Sequence, residues 1–151
     1  ATLTVVTLLA GRFWPPVRDW ARTIDIRVPV ALHLCRVVGL YFIYLARRGE
    51  LPPSFAMPAG AGDAVVATFA GLLLITGPPE AGGRRTAYRV WNVCGLIDIL
   101  FVVVSAARHG LADPMSMHAL LVLPLALLPT FIVPLIIATH VLVFARLKRL
   151  Q

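Results

Sequence analysis

Apolar residues fall in long runs along this chain, separated by short breaks rich in proline, glycine and arginine. A helix crosses the roughly 30 Å hydrocarbon core of a bilayer with about 20 apolar residues. The first run of that kind covers about residues 28–47. Pro29 suits its first turn, where a missing N–H costs nothing, and Arg47-Arg48-Gly49 ends it. The next predicted span is shorter, about 63–77, bounded by Asp63 and by Gly77-Pro78-Pro79. Between the two lies a stretch holding Pro52, Pro53, Pro58, Gly60 and Gly62. By the usual logic of helix breakers this is a re-entrant or surface-lying connector, with Asp63 as the N-cap of the helix that follows.

A third span is predicted over about 86–107, closed by Arg108-His109-Gly110. The remaining run, from Met115 to Ala145, is interrupted by Pro124, Pro129 and Pro134. As one straight helix it would be roughly 45 Å long, too long for the core. It therefore divides into an interfacial or re-entrant piece, 115–127, and a spanning piece, 129–148. At the other end, residues 1–27 read as a partial helix and an interfacial segment. Residues 1–10 are apolar but too short to span, the end of a longer helix or a processed start, and Trp14 and Trp20 stand among arginines as headgroup-level anchors. The expected architecture is all-α: a single polytopic transmembrane bundle of about four spanning helices plus one half-buried segment.

Composition agrees with this pattern. Hydrophobic residues make up 59% of the 151 positions and charged residues 14%, against about 25% charged in a soluble domain; the mean hydropathy is +0.85. The lipid bilayer is thus the expected solvent, and the net charge of +7 reads as basic loops at a membrane surface, with no nucleic-acid partner implied. With four spans, Arg12, Arg18, Arg22, Arg27, Arg84, Arg85, Arg89, Arg146, Lys148 and Arg149 share one side, and Arg47, Arg48 and Arg108 the other. Such a bias predicts a cytoplasmic C-terminus.

The residues that lipid tolerates poorly carry the candidate chemistry. Arg36 and Asp98 fall at similar depth, roughly 12–18 Å in by helical rise, and are predicted to form an intramembrane ion pair. His33 lies three residues before Arg36 on one face, with Tyr44 expected on the same face. His140 is expected on an antiparallel helix at the depth of His33, which raises the alternative of a haem b held by His33 and His140 as axial ligands, with Gly39 and Gly95 making room for the ring. The competing reading is a polar network of the kind that ties helices together. Cys35 and Cys94 sit in apolar runs and read as buried thiols, with a His/Cys metal site as the lesser alternative. No phosphate loop, nucleophile motif or paired-carboxylate site is present, so no enzyme is expected.

Two stretches carry a resemblance. Leu51-Pro52-Pro53-Ser54-Phe55-Ala56-Met57-Pro58-Ala59-Gly60-Ala61-Gly62-Asp63 follows an L-P-x-x-F-A-x-P-A/G-G-x-G-D pattern, and Leu123-Pro124-Leu125-Ala126-Leu127-Leu128-Pro129-Thr130-Phe131-Ile132-Val133-Pro134-Leu135 an L-P-L-x-L-x-P-T-F-x-V-P-L pattern. Both resemble a family of uncharacterised bacterial multi-pass inner-membrane proteins. The resemblance implies membrane embedding and brings no catalytic residue. The expectation is a non-enzymatic structural or accessory subunit of a larger respiratory or photosynthetic membrane complex, with other membrane subunits as partners. The alternatives are the haem-binding electron carrier and, after it, a small transporter or proton path through Arg36, Asp98 and Asp63.

Overall fold

The computed structural model describes residues 23–80 and 83–149. The predicted anchors Trp14 and Trp20, and the partial helix before them, lie outside the described residues. Four of the described helices are long and apolar enough to cross a membrane: Arg27–Arg47 (α1), Pro53–Thr76 (α2), Arg84–Ala112 (α3), and a last segment, Leu128–Lys148. That last segment starts with a π-helical turn, Leu128–Ile132, and continues as the α-helix Val133–Arg149 (α4). The chain is an all-helical multi-pass membrane bundle.

Hydrogen bonds show which helix ends meet. Arg27 Nη2 donates to the carbonyl of Leu74, joining the start of α1 to the end of α2. Arg85 Nη2 donates to the carbonyl of Leu147, joining the start of α3 to the end of α4. At the opposite end, Ser54 Oγ and His109 Nε2 lie 2.9 Å apart, joining the start of α2 to the end of α3.

Helix α1 is not uniform. Its middle, His33–Val38, is wound as a 3₁₀ helix between α-helical Arg27–Leu32 and Gly39–Arg47. A 3₁₀ helix has three residues per turn, so positions i and i+3 eclipse. From Val30 onward the buried residues follow that period: Val30, His33, Arg36, Gly39, Phe42 and Leu45. This winding aims His33 and Arg36 along one line into the bundle. It also turns Tyr44 away, so its expected place beside them is corrected. Tyr44 is 48% exposed and stacks on Tyr41 at the end of the helix.

The largest departure from expectation is α2. It begins at Pro53 and runs unbroken through Pro58, Gly60 and Gly62 to Thr76. Pro53 takes the favoured first position. Pro58 lies only about a turn further in, so it withdraws one N–H near the helix start. Glycine weakens helices in water, yet within a bilayer every backbone group needs an internal partner, and helix is what remains. The small residues then serve packing. A Cβ on Gly39 would lie 2.8 Å from the Gly60 carbonyl oxygen and 3.1 Å from its Cα. The backbones of α1 and α2 therefore cross in direct contact, as small residues permit in membranes.

The segment 115–127 does not span. Pro114–Leu121 forms 3₁₀ turns opened by Asp113, whose carboxylate accepts from the Met115 amide. The chain then turns around a cis Leu123–Pro124 peptide. Met117, Leu120 and Leu125 are buried against Phe42, Leu45 and Phe55, closing one end of the bundle with an apolar cluster. A second apolar cluster, including Ile26, Val30, Tyr88, Val143 and Leu147, closes the other end.

Candidate functional site

Between these two clusters lies a layer of buried polar side chains drawn from all four spans. Its centre is Arg36, 1% exposed. Arg36 Nε donates to Asp63 Oδ1 at 2.6 Å, Nη1 donates to the Gly95 carbonyl at 3.1 Å, and Nη2 donates to Asp98 Oδ2. One guanidinium thereby ties α1 to α2 and to α3. A planar fork with five N–H donors is suited to this, where a single ammonium is not.

Asp63 is not a helix cap. It lies in the middle of α2, 4% exposed, and is the second carboxylate on Arg36. The prediction placed it by reading Gly60-Ala61-Gly62-Asp63 as a turn before a helix. Within a continuous helix the same residues are spaces. Gly39 leaves room for the α2 backbone, and a Cβ on Gly62 would run into the Asp98 carboxylate. The sequence signal for Asp63 was its position: an acidic residue inside an apolar run, at a spacing that puts Ala56, Ala59, Gly60, Ala67 and Ala70 on the same buried side.

Next to this cluster, one 3₁₀ turn along α1, is a histidine pair. His33 and His140 are both fully buried, with ring centroids 4.2 Å apart. Trp91 packs edge-on against His33 at 5.0 Å, and its Nε1 donates to the Val66 carbonyl at 3.0 Å. Asn92 clasps His140. Its Nδ2 donates to the His140 carbonyl at 3.0 Å, which orients Oδ1 toward His140 Nδ1 at 2.8 Å. A carbonyl only accepts, so the amide orientation is set, and Nδ1 carries the hydrogen. Thr139 does the same for His33. Its single hydroxyl hydrogen goes to the Ile136 carbonyl at 2.8 Å, so His33 Nε2 donates to Thr139 Oγ1 at 3.1 Å. The other nitrogens, His33 Nδ1 and His140 Nε2, are buried lone pairs without a hydrogen-bond partner among the described residues.

In this geometry the two histidines are not set apart as the axial ligands of a haem. Rings 4.2 Å apart are already in contact, and a porphyrin cannot lie between two axial ligands that touch. Gly95 does make room for a ring, but the ring is His140 itself: a Cβ there would lie 2.7 Å from His140 Cε1. Nor does the structure turn the two cysteines inward, toward the histidines, as the lesser metal alternative requires. Cys35 and Cys94 are exposed on the bundle's outer face, and no group of three or more His, Cys, Asp or Glu suited to a metal ion is found among the described residues. Asn92 and Thr139 were not singled out as site residues; a hydroxyl or amide in an apolar run carries little signal until its imidazole partner is known.

The layer encloses little space. A cavity of about 30 Å³ touches Arg36 and Asp63 and is otherwise lined mainly by apolar side chains such as Phe42, Ile99 and Ile132. A water occupies about 10–15 Å³ on this measure, so one or two waters fit.

The chain belongs to a family described as a domain of unknown function, DUF8737. The match covers residues 1–148. No curated protein and no solved structure matches the chain. The family carries no activity to compare with the polar layer, whose meaning rests on its chemistry.

Proposed function

We propose that this protein is a non-catalytic subunit of a larger assembly in a bacterial inner membrane, with its C-terminus in the cytoplasm. The observation that carries the reading is the tight packing of the interior among the described residues. The polar layer lies between two apolar clusters, and the cavity beside Arg36 holds only a water or two, whereas a small-molecule site needs about 300–1,000 Å³. The outer face is apolar on every span, with Leu40, Phe69, Ile97 and Val141 all exposed. Such a bundle offers surface for lipid and for neighbouring helices rather than an interior for substrate. A respiratory or photosynthetic complex is the kind of assembly in which a small, rigid bundle of this sort serves.

The orientation follows from charge. The starts of α1 and α3 and the end of α4 share one end of the bundle, which carries Arg27, Arg84, Arg85, Arg89, Arg146 and Lys148. The other end carries Arg47, Arg48 and Arg108. The richer end is the cytoplasmic one by the positive-inside rule.

Purification of the tagged protein from its native membrane, in lipid-preserving particles, tests the proposal. Stoichiometric recovery of other integral membrane proteins is expected. Recovery of an isolated bundle that moves a solute or protons across reconstituted vesicles would overturn it.

A further inference from the structure

The buried layer is unbalanced in charge. Arg36 supplies one positive charge, and Asp63 and Asp98 supply two carboxylates to it. A net charge held at mid-membrane is costly. The imbalance has a counterpart within the same layer: two imidazole nitrogens, His33 Nδ1 and His140 Nε2, are buried lone pairs with no donor among the described residues. Each is an empty proton-accepting position, because the opposite nitrogen of each ring is already a donor, to Thr139 and to Asn92 respectively. The two clusters are adjoined. His33 is one 3₁₀ turn from Arg36, and Gly95, whose carbonyl accepts from Arg36 Nη1, packs its Cα against the His140 ring.

We propose that this layer is a binding site for one proton, shared between the Asp63/Asp98 carboxylates and the free nitrogens of His33 and His140. One added proton brings the layer to zero net charge on either kind of group, since a carboxylic acid with neutral rings and an imidazolium with two carboxylates balance Arg36 equally. The ligand is a proton rather than a metal cation. The cavity touching Asp63 is otherwise walled mostly by apolar side chains, and a hard cation needs about six oxygen ligands. Among the described residues, the titratable and charged groups facing the site are His33 and Arg36 from α1, Asp63 from α2, Asp98 from α3 and His140 from α4, while Cys35 borders the cavity from the outward-facing side of α1.

The test is infrared and ¹⁵N-histidine spectroscopy of the intact protein in lipid at neutral pH. The expected result is one proton per chain, seen either as a carboxylic-acid C=O stretch sensitive to H/D exchange or as an imidazolium signature on one of the two rings. Asp98→Asn removes one carboxylate and leaves Asp63 to balance Arg36; it should fold and lose that signal. Two ionised carboxylates with two neutral imidazoles in the wild type would overturn the proposal, whether or not the variant folds. So would a signal that sodium ions titrate away at constant pH, which would make the site a sodium site.

Discussion

Replacing Arg36 by methionine tests the centre of the bundle most directly. The change keeps an unbranched apolar stem and removes the guanidinium. Two charge-assisted hydrogen bonds are lost, to Asp63 and Asp98, and a third to the Gly95 carbonyl. Removing one partner of a buried ion pair costs about 3–5 kcal/mol, because the remaining charge stays buried without compensation. Here two carboxylates are stranded at once. Against this, helices separated within a bilayer also find partners for their polar groups, which lowers measured interaction energies in membranes. A loss of about 3 kcal/mol is therefore expected, close to a hundredfold in the folding equilibrium. Equilibrium unfolding in bilayer discs measures it. Arg36→Lys keeps the charge but not the fork, and should lose a smaller part. The triple variant Arg36→Met/Asp63→Asn/Asp98→Asn removes every charge together and should recover most of the loss. If Arg36→Met lies within about 1 kcal/mol of wild type, or the triple variant is no more stable than the single, the layer does not hold the helices in the way its geometry indicates.

Gly60→Leu forces a side chain into the Gly39 backbone and Ile43; separation of α1 from α2, read as lost cross-linking between cysteines placed on the two helices, is the expected outcome. Gly95→Val meets the His140 ring and should displace it, visible as a changed ¹⁵N signal for His140 while the His33 to Thr139 bond persists. The purified protein should show no Soret band; one that disappears in His33→Ala would mean that the two rings separate to admit a porphyrin. Cys35 and Cys94 face outward at membrane depth, so a lipid-soluble thiol reagent should label both and a charged, water-soluble one neither.

How far the sequence alone could be read depended on which solvent its rules assume. The spans were legible because length and hydropathy are properties of the bilayer itself, and α1, α3 and the last segment lie close to where the apolar runs place them. The depth arithmetic likewise puts Arg36 and Asp98 at one level, where the structure joins them. The start of α2 was illegible for the opposite reason. Glycines such as Gly60 and Gly62 weaken helices in water through backbone entropy and exposure, and Pro58 by its missing N–H, but a buried membrane segment has no water to take up freed backbone groups. Misplacing that start by ten residues turned Asp63 from the second ligand of Arg36 into a cap. The phase of α1 was hidden as well, since a helix of 3.6 residues per turn aligns Tyr44 with His33, and only the 3₁₀ turns at His33–Val38 set the buried face to every third residue. That winding has a chemical consequence. It stacks His33, Arg36 and Gly39 in one column, so the imidazole, the guanidinium and the close helix crossing all lie on the buried side of α1. A regular α-helix would spread those three positions over an arc of about 120°. The local departure from α-helical winding is thus what turns scattered polar residues on four helices into one connected layer.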